Sequence, residues 1–283
     1  MESTPTTPTS AGTPPHPLKA DGTAQTGLLV ASNLERAGFA HAFTTRQLDF
    51  GATAAPEARA AYVREVGAAL GFAPEVLRQV HQVHGARVVR GEPDVAARPL
   101  EEADAIVAAA EDIASLAVAV RVADCVPVLV GDRRIGAVAA IHAGWRGVVA
   151  GVVAHAMAEL AKVGSGDYVA AIGPCIGACC FEVSADVARR IVDSCGGDAS
   201  LAAFTPVHGN AGEAKAMVDL RRAVRAQLAA AGVHDVEDVP GCTKCDAARF
   251  FSYRRDGEAS GRHMAVIVAR TAAPIAHTLP APR

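Results

Sequence analysis

VADCVPVLVGDRRIGAVAAIHAGWRG, residues 122–147, decides how this chain folds. Two apolar runs, VPVLV (126–130) and IGAVAAI (135–141), are separated by the turn-like GDRR. That pattern reads as two short buried strands or a tight hairpin. Cys125 opens the first run and His142 closes the second, so both fall at one end of a sheet. Gly-Trp-Arg-Gly follows, and then a helix-length segment that carries the covering helix from Trp145 to Val163. A thiolate and an imidazole beside a helix N-terminus can hold Zn²⁺ and an anion.

Outward from this stretch the chain alternates strand-like and helix-like segments. LLVASNL (28–34) and HAFTTR (41–46) look like a first strand pair, the second ending in the polar Thr45-Arg46. Arg46 is a candidate for binding an anion or substrate. Val63, Val66 and Leu70 give Ala60 to Leu70 roughly helical spacing, and Pro74 to Val80 reads as a further turn. In VHQVHGARVVRGEP (80–93), Val88 and Val89 suggest a strand after a turn at Gly85. His81 and His84 are three apart; in a strand they point to opposite faces, so one of them faces any given site. ADAIVAAA (103–110) and ASLAVAV (114–120), together with the two runs of the hairpin, imply a sheet buried on both sides. DYVAAIGPCIGACCFEV (167–183) is a strand followed by a turn rich in cysteine. SADVARRIVDSCGG (184–197) is a helix with a serine cap and a glycine stop. GEAKAMVDLRRAVRAQLAAAGV (212–233) reads as a long amphipathic helix with Met217, Leu220, Val224 and Leu228 on its apolar face. HMAVIVA (263–269) closes the chain as a last strand, and the alternation makes the fold class α/β.

Composition sets the outer limits. Of 283 residues 51% are apolar, enough for a substantial core, and the formal charge of −3 gives no general pull toward nucleic acid or anionic membrane. Aromatics are 4% of the chain, too few for base-stacking platforms. No run reaches the roughly 18 uninterrupted apolar residues of a membrane span. Residues 1–27 are rich in Pro, Thr, Ser and Gly, read as a disordered tail, and lack the basic and apolar regions of an export signal. Seven cysteines without such a signal favour reduced thiols and metal binding over a disulfide framework, and a cytoplasmic location.

A catalytic zinc commonly takes three protein ligands and leaves a fourth position open. His84, Cys125 and His142, from separate segments, can supply such a set, although spacing does not choose between His81 and His84. Asp124, next to the thiol, is equally a second-layer or proton-handling group and a surface carboxylate. Ten histidines without one His-x-His pair give little support to a multicopper redox chain. Cys175, Cys179, Cys180, Cys242 and Cys245 form a second group. Cys242 and Cys245 have C-x₂-C spacing, but the other half is irregular, and buried free thiols are the expectation.

QVHG (82–85), ADCVPV (123–128), HAGWRG (142–147), GPCIGACCFEV (173–183) and FFSYRRDG followed by GR (250–262) resemble the laccase-domain family over residues 28–272. Once labelled polyphenol oxidases, its members are regarded as zinc-dependent purine nucleoside phosphorylases with adenosine deaminase activity. The resemblance implies a single α/β domain over 28–272, a layered sandwich with helices outside and sheets inside, and a short C-terminal tail at 273–283. It also implies zinc held by His84, Cys125 and His142, thereby selecting His84 over His81. A nucleoside over the metal would be cleaved by phosphate to base and ribose 1-phosphate, or deaminated at C6 of adenine. Thr45 and Arg46 match a family substrate element, and Arg46 and Arg146 are the candidates for phosphate; Arg254 and Arg255 are read as structural. QLDFGATAAPEA (47–58) departs from the loop that continues this element in the family. Two further roles stand beside the phosphorylase: an editing hydrolase for peptidoglycan precursors, and a non-catalytic metal-binding or copper-redox module.

Overall fold

The computed structural model describes residues 27–92, 100–109, 116–204 and 214–270. Apart from Gly27, the two expected tails, 1–27 and 273–283, lie outside these residues. In chain order the elements begin with β1 (Leu28–Leu29), α1 (Ser32–Arg36), β2 (His41–Thr44), α2 (Pro56–Leu70), β3 (Leu77–Arg78), β4 (Val88–Arg90), β5 (Ala105–Ala108) and β6 (Ala117–Val122). Then come β7 (Val126–Asp132), β8 (Val138–Ala143), α3 (Trp145–Val149), α4 (Val152–Ala161), β9 (Tyr168–Ile172), β10 (Glu182–Ser184) and α5 (Ala185–Asp193). The chain continues through β11 (Ala202–Phe204), β12 (Lys215–Val218), α6 (Leu220–Ala230), β13 (Asp235–Asp238), α7 (Tyr253–Asp256) and β14 (His263–Val268).

The hairpin forms as expected. β7 and β8 pair antiparallel with Val126 opposite Ala143, Pro127 opposite His142 and Gly131 opposite Val138. Its turn is pinned by Asp132, a fully buried carboxylate that accepts N–H bonds from Arg134, Ile135 and Ser165. Those bonds hold the carboxyl below its ordinary range although burial works the other way. The register leaves Cys125, just before β7, and His142, near the end of β8, at the same end of the ladder.

Two large sheets lie face to face. One has the order β13-β9-β7-β8-β5-β4, the other β1-β2-β14-β6-β3. Side-chain alternation assigns each face. Leu129, Val138, Ala140 and Ile106 from the first sheet meet Val118, Val120, Ala265 and Ile267 from the second. The opposite face of the first sheet, with Val128, Val130, Ala139 and Ile141, is covered by α4 and α6 through Val153, Met157, Leu160, Val224 and Leu228. The outer face of the second, with Ala117, Ala119, Met264 and Val266, is covered by α2 through Val66. The result is a helix–sheet–sheet–helix stack, so helices do lie outside a paired-sheet interior. The expected single sheet is thus two: β5, β7 and β8 share one and β6 belongs to the other, because both are buried on both faces and periodicity is blind to the partner.

Other expectations are corrected locally. LLVASNL is a two-residue strand followed by α1, whose first-turn N–H groups at Ser32 and Asn33 donate to the Glu237 carboxylate. The covering helix is two helices, α3 and α4, because Gly151 between them takes φ +79°, where a side chain is strained. The long helix over 212–233 is also divided. Residues 212 and 213 are outside the described part, Ala216 and Val218 alternate inward as β12, and Asp219 caps α6 by accepting from Arg222 N–H at 3.0 Å. β13, with the sequence DVED, carries too little apolar pattern to be read as a strand and pairs parallel with β9. The Ser184 cap of α5 and the last strand are as expected. Among the described residues no helix is long and apolar enough to cross a membrane.

Two buried histidines are held neutral by the core. His263 accepts the Phe251 N–H at Nε2, 2.9 Å, and burial brings it down to about 4 despite a bond to the Val122 carbonyl. His41 accepts the Ala31 N–H at 2.8 Å and is likewise lowered by burial. In the unfolded chain both titrate near 6.5. Between about 6.5 and 4 the unfolded chain therefore binds a proton that folded His263 refuses, so stability falls as pH falls. For His263 this amounts to about 2 kcal/mol by pH 5. The denaturant midpoint should drop between pH 7 and pH 5 and drop less in His263→Gln; an equal slope in that variant would remove His263 as the cause.

Candidate metal centre and cleft

Three chain segments deliver one group of donors. Cys125 arrives at the start of β7, His142 at the end of β8, and His84 on the loop between β3 and β4. Their ligand atoms all lie within 4.8 Å of one another, and the two imidazoles meet edge to face with centroids 4.9 Å apart. This group can hold a metal ion. The backbone makes room for it: a Cβ on Gly144 would stand 3.1 Å from both Cys125 Sγ and the His84 ring.

Asp104, just before β5, organises the centre and was not marked out by the sequence. Fully buried, it accepts His142 Nδ1–H at 2.7 Å and the backbone N–H groups of His84 at 2.9 Å and Gly85 at 2.6 Å. Burial opposes its charge, but those bonds hold the carboxyl below its ordinary range. An ionised carboxylate only accepts, so Nδ1 of His142 carries the proton and Nε2 is left for the metal. The same bond to the His84 N–H helps hold His84 at φ +61°, a strained conformation for a non-glycine residue. A lone aspartate in ADAIV offers no spacing signal; only its three partners reveal it.

The donor set also tunes itself. Burial disfavours the Cys125 thiolate, but the imidazoles of His142 and His84 outweigh it and bring the thiol down to about 6. Burial likewise disfavours the His142 cation, and the thiolate and Asp104 outweigh it, raising that ring to about 9. The thiolate a metal requires is the form these neighbours favour.

Asp124 is neither a surface group nor in contact with the donors' ring nitrogens. Buried at φ +86°, it accepts from Thr243 Oγ1 and Arg254 N–H, each at 2.6 Å, while its carbonyl accepts the Ile176 N–H at 2.9 Å. It ties three loops together around a cleft of about 680 Å³ that opens over His84, Cys125 and His142.

Of the three expected substrate contacts, Arg146 lines this cleft, on α3 and 4.6 Å from the Trp145 ring. Thr45 and Arg46 do not: Thr45, just past β2, is buried, and Arg46 bonds the Ala247 carbonyl and packs over Phe251. Arg255 is structural, paired with Asp256 at 2.7 Å, whereas Arg254 lines the cleft. The loop 81–87 is not a regular strand, so His81 and His84 both reach the cleft, but only His84 joins the donors. Arg121 and Arg262 were not anticipated. Both line the cleft, each lies in the other's field, and among the described residues neither forms an ion pair with a carboxylate. Burial and the neighbouring Arg59 and Arg262 lower the affinity of Arg121 for its proton.

The chain matches the family described as multi-copper polyphenol oxidoreductase laccase over residues 33–270, and it belongs to that family. A Streptomyces coelicolor relative named purine nucleoside phosphorylase is 38% identical over 197 residues, covering 68% of this chain and 76% of its own. A relative from an unknown prokaryotic organism, named adenosine deaminase, is 37% identical over 175 residues, covering 58% and 61% respectively. The crystal structure of a Neisseria meningitidis protein superposes with a TM-score of 0.70 at 31% identity, covering 86% of this chain and 99% of that one. Like the relatives bearing those names, the chain is an enzyme.

Proposed function

We propose that the chain is a zinc-dependent purine nucleoside phosphorylase that also deaminates adenosine, acting on adenosine, inosine, guanosine and methylthioadenosine. The observation that carries this is the coincidence of the His84–Cys125–His142 group with Arg121 and Arg262 in one cleft. Its volume of about 680 Å³ is in the range of small-ligand sites. When bound, zinc supplies Lewis acidity, polarising an oxygen and acidifying water.

The rest is the work of this chain's own groups. Arg121, Arg262 and Arg146 draw phosphate into the cleft and orient it by charge-assisted hydrogen bonds. Phe181, Ile176 and Tyr253 offer apolar and aromatic surface to a purine. Asp104 keeps His142 in one tautomer, and Asp124 holds the cleft-wall loops in place, so binding meets a prearranged site. A closed structural centre needs a fourth protein ligand; among the described residues only three donors converge here, and they face the cleft. The pair of imidazoles with one thiolate is also a donor set for copper, and metal analysis of the purified protein tells the two ions apart.

Zinc-loaded protein incubated with each nucleoside should release free base and ribose 1-phosphate only when phosphate is present. Adenosine should give inosine without it. Absence of both products, with zinc verified on His84, Cys125 and His142, would overturn the proposal.

A further inference from the structure

The five cysteines of the second group are free thiols, as expected, but they are not all buried. Cys175 alone is buried and separate, while Cys179, Cys180, Cys242 and Cys245 converge at the surface with all four sulfurs within 4.8 Å of one another. We propose that these four side chains hold a structural Zn²⁺ ion.

The geometry is that of a four-sulfur cage. Neighbouring Sγ separations are 3.7 Å for Cys179–Cys180, 3.7 Å for Cys179–Cys242, 3.5 Å for Cys179–Cys245 and 3.2 Å for Cys180–Cys245. A tetrahedron of sulfurs about 2.3 Å from zinc has edges of about 3.8 Å. Little must move for such an ion to enter, and the four thiols would release their protons to solvent as it binds.

The surroundings are built for sulfur ligands as well. Gly177 donates its N–H to Cys242 Sγ at 3.2 Å, and the Cys245 backbone bonds the same sulfur, the usual support for a thiolate ligand. A Cβ on Gly177 would stand 3.3 Å from Cys179 Sγ and 3.4 Å from Cys242 Sγ, so the glycine leaves room for the sulfurs to approach. The two halves are aligned by a backbone bridge between Cys175 and Cys242 and by the Thr243 N–H to the Cys175 carbonyl, 3.0 Å. Arg255 donates to the carbonyls of Thr243 and Lys244, bracing the C-x₂-C turn.

The ion would act as a staple. One half of the cage continues the loop that carries Ile176 and Phe181, and the other leads through Thr243, which bonds Asp124, to Tyr253 and Arg254. Asp124, Ile176, Phe181, Tyr253 and Arg254 all line the cleft. Since the cage shares no ligand with the His84 centre, it stands or falls separately from the nucleoside chemistry.

Protein purified without added metal or chelator should carry about two metal equivalents per chain, one at each centre. Cys125→Ala should keep one, and X-ray absorption should show it surrounded by sulfur alone at about 2.3 Å. Cys242→Ser with Cys245→Ser should lose that all-sulfur signal, keep the mixed nitrogen and sulfur centre, and melt at lower temperature. If the double variant fails to fold, the Cys125→Ala spectrum decides alone, because it leaves the cage untouched. A single equivalent that disappears with Cys125→Ala would overturn the proposal. So would mass spectrometry showing the four thiols joined as two disulfides.

Discussion

Cys125→Ala should remove the metal proposed for the cleft and lower the proposed nucleoside phosphorolysis by about a thousandfold or more, about 4 kcal/mol of transition-state stabilisation. The substitution takes away the one anionic donor, leaving two imidazoles that bind a divalent ion far more weakly. The side chain is small, so the fold should persist, and circular dichroism is the control. Full metal content at this centre together with undiminished turnover would show that the sulfur is not a ligand.

Asp104→Asn should be nearly as damaging, although the carboxylate would not itself touch the ion. The asparagine keeps the size but loses the charge, and its amide can no longer accept from His142 and two backbone N–H groups at once. Loss of such an orienting partner weakens metal binding by about 10- to 100-fold. Each N–H left buried without a partner costs a further 1–3 kcal/mol or so in stability. The measurement is metal affinity by competition with a chelator, at a temperature where the variant is still folded. A purely structural carboxylate would lower the melting temperature and leave that affinity unchanged.

How much of this was legible in the residues differs from element to element. Local signals carried the β7–β8 hairpin, the α5 cap, the last strand and the placement of Cys125 and His142 at one end of a ladder. Alternation, turn residues and caps act over a few positions, and the hairpin register then fixes where its ends lie. Family resemblance, and not spacing, selected His84. Its place among the donors depends on a left-handed backbone held by a carboxylate twenty residues along the chain.

What the chain alone determined is therefore its α/β alternation, its buried strands and the chemistry of its donors. The tertiary structure decided the rest: β6 joined a different sheet from β5, and α1 took its cap from Glu237, 205 residues away. It also brought Asp104 under both histidines and four cysteines around one point. The physical reason is range. A residue's own neighbours set its periodicity, but which sheet a buried strand joins, and which distant carboxylate or sulfur it meets, is settled only by long-range packing that satisfies every buried polar group at once.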